Sequence, residues 1–497
     1  MDSWLQNPMK KSSPLLIIII LVIPTFLLML RFGIYSMQDF HFFRLVEFDN
    51  CIKNLQIPCR WSAGAGLGYG EPLFNFYGQG AYIIGEIFHL LQFSLVDSLK
   101  LSFIFSLVAS SISMYFLSKK IWKSDAAAIL SSVFYVYAPY RAVDVWVRGA
   151  LPESLSFVYF PLIILFFENY LETKHRKQLI FFALGLFALI ITHNLSLILF
   201  LPFLLVWVIY RLLVTKNINF APKIILAGFV SLGLSAFYVL PVLFESKYIT
   251  LESTTVGYFD FRAHFVTLQQ LLFSRFWGYG GSTWGIEDGL SLTVGLFHWI
   301  VPLIILIWVF LKNKIKKYNN LFIIVGLGVF YLFLTHNQST FVWLSLPFMK
   351  YIQFPWRFLG VAVFCFSLSV GAIVQILSKK YSVIALVLVL GVVLYNISFF
   401  RPDIWYEIDD ADLTTGERWI EQTRSSIGDF WPKFGHEIPI KPSDGEYINY
   451  FPGWNYEPDK NGLIKAEGAV FSNTPVRTTG NIISGISAIV VAILLIK

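Results

Sequence analysis

Asp39, His41 and Arg44 follow the first apolar run of the chain at short intervals. A carboxylate placed there could accept a proton from a substrate hydroxyl, which is general base catalysis. His41 and Arg44 lie three residues apart, so on a helix they share one face and could orient an anionic group. Structural roles compete with this chemistry, because Ser36 and Asp39 have capping-box spacing and His41 and Arg44 could reach toward lipid headgroups. The spacing leaves both interpretations open.

A glycine-rich segment follows, with Arg60 and Trp61 before it and Tyr69 and Tyr77 within and after it. Glycine lets the backbone turn sharply or approach a ligand closely. The segment lacks the Gly-Lys-Ser/Thr ending of a phosphate-binding P-loop. It is therefore a candidate ligand-binding loop of another kind.

Two arginines and two carboxylates lie close together between residues 141 and 153: Arg141, Asp144, Arg148 and Glu153, with Tyr140 just before them. Arginine forks match phosphate oxygens bidentately, and at a membrane surface a phosphate belongs to a lipid. The alternative is an internal set of salt bridges. We predict Glu153 as a catalytic residue and Tyr140, Arg141 and Arg148 as substrate-binding residues.

Two further segments combine polar residues with a predicted helix end. His193 and Asn194 form a tight turn, where a helix cap competes with ligand binding. Arg357 ends the segment Gln-Phe-Pro-Trp-Arg at the start of an apolar run, where Trp and Arg are also routine interface anchors. We predict all three as substrate-binding residues.

The eight histidines contain no His-x-His or His-Glu-x-x-His pattern, and no Cys-x-x-Cys occurs. Asp39, His41, Glu153 and His193 could still converge on a hard divalent cation such as Mg²⁺ or Mn²⁺. The metal requirement is left open.

The composition points to a membrane protein. The 497 residues are 56% hydrophobic and 14% charged, whereas soluble domains carry about 25% charged residues. Soluble, disordered and collagen-like classes are therefore excluded. The net charge of +7 is explained by lysine-rich cytoplasmic loops, so no nucleic-acid partner is predicted.

Apolar runs long enough to cross a bilayer predict about twelve spans. The first is read as an uncleaved span because no small-residue cleavage site follows it. The spans are predicted near residues 15–30, 99–118, 125–142, 154–171, 178–192, 195–213, 222–244, 290–311, 321–335, 357–377, 382–400 and 481–496. With this count, the loops rich in Lys and Arg all lie on one side of the membrane. We assign that side, together with the N-terminus, as cytoplasmic.

Residues 72–93 are also apolar, but counting them as a span would place every later basic loop outside. We therefore predict a helix in the outer interface, with Glu86 and His89 on one face. The first external loop, residues 35–100, is then far longer than usual, which is typical of functional loops. Cys51 and Cys59 could meet only if this loop folds back, so no disulfide framework is predicted.

The tail, residues 401–480, is polar and rich in turns. Two segments in which apolar residues alternate with polar ones, 447–451 and 463–471, flank the turn 458–462. This pattern predicts a small β-rich external domain. We expect residues 1–400 to form the membrane domain and residues 481–497 a terminal transmembrane helix.

Taken in order, several motifs resemble one known group. They are Asp39-x-His41-x-x-Arg44, Arg60-Trp61, Gly68-Tyr69-Gly70-x-Pro72-x-Phe74-x-Phe76-Tyr77, Pro139-Tyr140-Arg141, Arg148-Gly149-Ala150-x-x-Glu153, His193-Asn194-Leu195 and Gln353-Phe354-Pro355-Trp356-Arg357. The set resembles bacterial and archaeal membrane proteins labelled "6-pyruvoyl-tetrahydropterin synthase-related", which are similar to YfhO-type proteins and the GT-C glycosyltransferase superfamily. Tyr450-Phe451-Pro452-Gly453-Trp454 in the tail is similar to a Pro-Gly-Trp motif of the YfhO type. Nothing in the chain resembles a soluble, zinc-dependent pterin synthase.

The GT-C resemblance implies an all-α polytopic membrane fold with an acidic residue in the first external loop, matched here by Asp39. It implies a polyprenyl-phosphate sugar as donor, with a glycan, lipid or protein acceptor that the sequence does not name. The expected reaction is sugar transfer with Asp39 as base and arginines at the departing phosphate. Trp61, Tyr69 and Tyr77 would then stack on the sugar or the polyprenyl chain.

Two other functions remain open. A flippase or transporter for lipid-linked saccharides needs a polar path through the spans, where His298 is the clearest ionisable residue. A non-catalytic assembly protein would use its outer arginines only to hold phospholipid headgroups.

Overall fold

The computed structural model describes residues 8–36, 38–283, 288–376, 382–424, 430–434 and 438–496, and only the backbone of residues 8–13, 39, 252, 253 and 382. The fold is mostly helical, which confirms the predicted all-α membrane class. The helices are α1 Pro8–Val22, α2 Asp39–Lys53, α3 Leu73–Phe76, α4 Gly80–Leu90, α5 Leu95–Trp122, α6 Asp125–Val136, α7 Pro139–Ala142, α8 Leu151–Thr173, α9 Arg176–Thr192, α10 Asn194–Val214, α11 Ala221–Leu234, α12 Ala236–Glu245, α13 Leu268–Phe273, α14 Leu296–Leu311, α15 Asn319–Thr335, α16 Thr340–Ser345, α17 Leu359–Val370, α18 Ala372–Ile376, α19 Ser382–Asn396, α20 Asp410–Leu413, α21 Gly416–Arg424 and α22 Pro475–Ile496. The strands are β1 Ile34–Tyr35, β2 Trp405–Tyr406, β3 Tyr447–Asn449 and β4 Leu463–Lys465.

Within the described residues, 6 helical segments are long and apolar enough to cross a membrane. They are Leu95–Trp122, Leu151–Thr173, Asn194–Val214, Ile315–Thr335, Pro355–Ile376 and Pro475–Ile496. The pair Ile218–Leu234 and Ala236–Tyr248, bent by 74°, forms a seventh if it is one broken span. Four other apolar helices are shorter, so the prediction of about twelve spans depends on whether those also cross. The chain is a multi-pass membrane protein.

The core of the bundle is built around α5, α8 and α17. α5 packs against α6 and α8, α8 also packs against α9, and α17 packs against α6 and α15. α8 and α17 are largely buried, whereas α22 contacts α11 and α12 and is mostly exposed. The start of α8 and the residues leading into α17 therefore lie inside the protein, where polar side chains need partners.

The first loop folds back after α2, which the sequence did not predict. The side chain of Gln56 accepts hydrogen bonds from the backbone N–H groups of Arg60 (2.8 Å) and Trp61 (2.9 Å). This turn brings Cys51 and Cys59 together as a disulfide, with their Cα atoms 5.5 Å apart. The sequence made this pairing conditional on the loop folding back, and side-chain bonding within the loop meets that condition.

Helix α4 is 11 residues long, which is about 16 Å at 1.5 Å per residue and too short to cross a bilayer. It packs on α2 and α5. Residues 72–93 thus contain two short helices, α3 and α4, and their position in the outer interface stays a prediction.

The tail is tied to the first loop at several points. β2 pairs antiparallel with β1, matching Ile34 with Tyr406. β3 and β4 form a hairpin within the two alternating pieces of sequence, and α20 and α21 add helix to the segment predicted as β-rich. α22 begins at Pro475, before the predicted start of the terminal helix.

Candidate functional site

A rare backbone turn precedes α8. α7 is followed by a π-helical turn, Val143–Val147, in which the N–H of Arg148 donates to the carbonyl oxygen of Val143 (2.8 Å). π-helical turns are uncommon and often mark functional sites. Gly149 then adopts a φ of +57°, a left-handed conformation that glycine takes without strain. The turn directs Asp144 and Arg148 toward the first turn of α8.

Arg148 is held between two carboxylates. Its Nη1 lies 2.8 Å from Glu153 Oε2 and 3.0 Å from Asp144 Oδ1. The hydroxyl of Tyr140 donates to Glu153 Oε1 (2.5 Å). The Arg148 guanidinium also stacks on the ring of Trp356, 4.6 Å from its centroid. Both oxygens of Glu153 are thus engaged, and Arg148 is locked in place.

Three more predicted residues join this group. Arg141 Nη1 donates to Ser154 O (3.1 Å) and lies 3.8 Å from Asp144 Oδ2. Arg357 interacts electrostatically with both Asp144 and Glu153, and His193 interacts with Glu153. We call the set the Arg148 cluster. It comprises Tyr140, Arg141, Asp144, Arg148, Glu153, His193 and Arg357.

The cluster has more positive than negative charge. Burial, and next the carboxylate of Glu153, raise the pKa of Asp144 well above its ordinary value, against the opposing effect of the arginines. Burial lowers the pKa of His193 to about 4, so its ring is neutral near pH 7. The three guanidinium groups of Arg141, Arg148 and Arg357 therefore interact with two carboxylates. Such a group is suited to receive an anion.

Asp144 and Glu153 differ in their hydrogen bonds. Asp144 Oδ2 has no hydrogen-bond partner among the described residues, whereas both oxygens of Glu153 have one. Asp144 is therefore less completely hydrogen-bonded than Glu153, although Arg141 lies near its second oxygen. The sequence reasoning did not select Asp144 as a site residue.

The first loop helix, α2, meets the cluster through His41. His41 Nδ1 shares a hydrogen bond with the hydroxyl of Tyr82 (2.9 Å), and His41 Nε2 accepts from the N–H of Leu151 (3.4 Å). Burial, followed by the charge of Arg44, lowers the pKa of His41 well below its ordinary value. A neutral His41 therefore joins α2 to the start of α8.

Arg44 lies between two aromatic rings on the same side of α2. Its guanidinium carbon is 3.6 Å from the ring centroid of Phe40 and 3.9 Å from that of Tyr77. Asp39 begins α2, two residues before His41, but its side chain lies outside the described residues. The structure thus brings the predicted residues His41, Arg44 and Tyr77 toward the Arg148 cluster, and the role of Asp39 stays a prediction.

Arg60 belongs to a different group. It donates to Phe237 O (2.7 Å), Asn75 Oδ1 (3.2 Å) and Asn481 Oδ1 (3.0 Å). Burial and the nearby Arg477 lower its pKa to about 10. Arg477 in turn pairs with Glu245, with Nε 2.9 Å from Oε2. We call this group the loop clamp. It comprises Arg60, Asn75, Glu245, Arg477 and Asn481.

The remaining predicted residues contact the tail or a helix end. The ring of Trp61 lies edge-on to Trp454, 5.2 Å between centroids. The carbonyl oxygen of Tyr69 accepts from the N–H of Asn449 (2.8 Å). Asn194 is the first residue of α10. Trp61 and Tyr69 therefore hold the glycine-rich loop against the tail.

Tyr35 and Tyr82 are site neighbours that the sequence reasoning missed. The hydroxyl of Tyr35 donates to Val145 O in the π-helical turn. Burial and the charge of Asp144 raise the pKa of Tyr35. Neither tyrosine stands in a motif with its partner, since 41 residues separate His41 from Tyr82. No local sequence signal pointed to them.

No group of three or more His, Cys, Asp or Glu side chains among the described residues is arranged to hold a metal ion. The predicted ligands His41 and Glu153 are already occupied by Tyr82, Tyr140 and Arg148. The side chain of Asp39, another predicted ligand, lies outside the described residues, so the metal requirement stays a prediction.

No family model matches the chain. An uncharacterized protein of Lactococcus lactis subsp. cremoris (strain MG1363) is 25% identical over 218 residues, which covers 42% of this chain and 35% of that protein. Among solved structures, the arabinofuranosyltransferase AftD from Mycobacteria aligns with a TM-score of 0.46 and 12% identity. That alignment covers 80% of this chain and 27% of the enzyme. The chain thus spans about a third of the first protein's length (35%) and about a quarter of the second's (27%).

Proposed function

We propose that this protein is an integral-membrane glycosyltransferase that moves a sugar from a polyprenyl-phosphate donor to an acceptor hydroxyl. The observation that carries the proposal is the Arg148 cluster, in which the buried Arg141 and the partly buried Arg148 and Arg357 surround two carboxylates at the start of α8. A leaving phosphate gains negative charge as its bond to the sugar breaks, and preorganised cations stabilise that charge. We place the reaction on the face opposite the lysine-rich loops.

In the proposed step, the acceptor oxygen attacks the anomeric carbon while the bond from that carbon to the phosphate oxygen breaks. Asp39 takes the proton of the acceptor hydroxyl, and polyprenyl phosphate leaves as the anion. A positioned base contributes about 10² to 10⁴ in rate. Arg148 and Arg357 neutralise the departing phosphate.

The other residues position these groups. Glu153 and Asp144 hold Arg148 in one orientation through contacts of 2.8 and 3.0 Å. His41 connects α2, which begins at Asp39, to α8. Because His41 and His193 are neutral near pH 7, they orient hydroxyl groups without adding charge.

The transport alternative has less support. His298, the residue expected on a polar path, has Nε2 at 2.7 Å from the carbonyl oxygen of Phe134. A histidine bonded to a backbone carbonyl in a buried helix is typical of a structural role.

The test is release of polyprenyl phosphate from synthetic polyprenyl-phosphate sugars by the purified protein in nanodiscs, with membrane extracts as acceptor source. Asp39→Asn is expected to lower the rate about 10² to 10⁴-fold. Asp403→Asn is the matched control, since Asp403 is exposed in the tail. Release at the wild-type rate by Asp39→Asn, or none by wild type with any donor, would overturn the proposal.

A further inference from the structure

A second charged cavity lies at the opposite end of α8 from the Arg148 cluster. Glu153 lies in the first turn of this helix and Glu172 in its last, which places them about 28 Å apart at 1.5 Å per residue. The cavity has a volume of about 290 Å³ and lies among the ends of α5, α8 and α10 and the start of α15. Its charged and amide lining residues are Lys120, Lys123, Glu168, Glu172, Arg211 and Asn320.

The two carboxylates in this cavity are already neutralised. Arg211 contacts Glu168 through two bonds, Nε to Oε1 and Nη2 to Oε2, each 2.8 Å. The indole N–H of Trp207 also donates to Glu168 (2.9 Å). Lys120 pairs with Glu172. The carboxylates therefore leave little negative charge to repel an anion.

Several donors around the cavity are not used by these pairs. Arg211 Nη1 takes no part in its two bonds to Glu168. Lys123 is exposed and acts on Glu172 only through its charge. Asn320 uses its Oδ1 to accept from Tyr210, which leaves its amide N–H₂ available. The lining thus has three cations against two carboxylates. Cationic donors on Arg211 and Lys123 and the amide donor on Asn320 are not used by the ion pairs.

We propose that this cavity binds a phosphate group, either in the headgroup of an anionic phospholipid or as a free phosphate compound. Basic pockets between transmembrane helices suit phosphate-bearing headgroups, because they combine positive charge with access from the membrane surface. Trp207 and Tyr210 border the cavity residues through their bonds to Glu168 and Asn320. Tyr210 is partly exposed, and tyrosines of this kind are typical of the level of the lipid headgroups.

The test compares the wild type with Lys120→Gln/Lys123→Gln. Glu172 loses its partner in this variant, but its side chain is 59% exposed and water can solvate it. Lys314→Gln/Lys316→Gln is the matched control, since it removes the same charge from a basic loop that does not line the cavity. All three proteins are measured as folded proteins in detergent. The test does not depend on the assay of polyprenyl phosphate release.

The first arm measures retention of phosphatidylglycerol against phosphatidylcholine by native mass spectrometry. The second measures the change in Tm on adding pyrophosphate. A lipid site predicts at least tenfold preference for phosphatidylglycerol, reduced at least fivefold in the cavity variant and unchanged in the control. A free-phosphate site predicts a Tm increase that the cavity variant loses. If neither response depends on the two cavity lysines, the proposal is wrong.

Discussion

The Arg148 cluster and the loop clamp both bury arginines beside carboxylates, but they use them differently. In the clamp, Arg477 donates to Glu245 Oε2 (2.9 Å) and to the carbonyl oxygen of Pro452 (2.8 Å). Arg60 donates to the carbonyl oxygen of Phe237 and to two asparagine side chains. The clamp therefore joins the first loop, the bent pair α11–α12, the tail and α22. Most of its hydrogen bonds connect segments that are distant in sequence.

The Arg148 cluster draws mainly on one short segment. Tyr140, Asp144, Arg148 and Glu153 come from a single turn and the helix after it, and Arg148 donates to side chains rather than to backbone carbonyls. Asp144 Oδ2 has no hydrogen-bond partner among the described residues. Buried arginines alone thus do not identify a site. The distinguishing feature is what the guanidinium groups bind: Arg148 donates to side chains of one short segment, whereas Arg60 and Arg477 also bind backbone carbonyls of distant segments.

The largest expected effect is on stability, from Glu245→Gln in the clamp. Breaking a buried ion pair costs about 3 to 5 kcal/mol because the remaining charge stays buried without a partner. We expect a clear fall in Tm, with turnover per folded molecule unchanged. Glu467→Gln, on an exposed tail residue, controls for loss of a carboxylate. A stable variant with reduced turnover would place the clamp within the catalytic site instead.

Arg148→Lys should mainly affect turnover. Lysine keeps the charge but cannot make the same set of contacts to Asp144, Glu153 and the Trp356 ring. Loss of one charge-stabilising donor costs about 10² to 10³ in kcat. Arg477→Lys is the comparison, and we expect it to lower Tm but not the turnover of folded protein. Equal loss of turnover in the two variants would remove the distinction between the clusters.

His193 should make stability depend on pH. Its pKa is about 4 in the folded protein against 6.5 ordinarily, so protonation favours the unfolded chain. This contribution to stability is fully present above pH 6.5 and is lost as the pH falls toward 4, up to ~3 kcal/mol. His193→Asn should therefore lose less Tm between pH 7 and pH 4.5 than wild type, measured by intrinsic fluorescence. Identical losses would show that His193 is protonated without penalty.

The smallest effect is expected from Tyr140→Phe, which removes the hydroxyl that donates to Glu153 (2.5 Å). One such hydrogen bond is worth about 1 kcal/mol, so turnover should fall about fivefold. Tyr238→Phe is the control, because its hydroxyl donates to Phe76 O away from the cluster. A loss as large as that of Arg148→Lys would mean that Tyr140 itself acts on the substrate.

Local sequence spacing already groups several residues of the Arg148 cluster. Tyr140, Arg141, Arg148 and Glu153 lie within fourteen residues, so any helical turn here brings several of them together. Local sequence did not show that Arg60 would join the clamp, because the partners of Arg60, Phe237 and Asn481, are 177 and 421 residues away. Contacts over such distances depend on how helices pack, and spacing along the chain does not encode them.

The sequence by itself determined that this is a helical membrane protein. Long apolar runs must satisfy their backbone hydrogen bonds internally, and only helices do so within one segment. Tertiary structure alone decided the Cys51–Cys59 disulfide, the pairing of Ile34 with Tyr406, and the pairing of Arg477 with Glu245. Those features arise where segments distant in sequence meet, because burial and neighbouring charges exist only once the helices have packed.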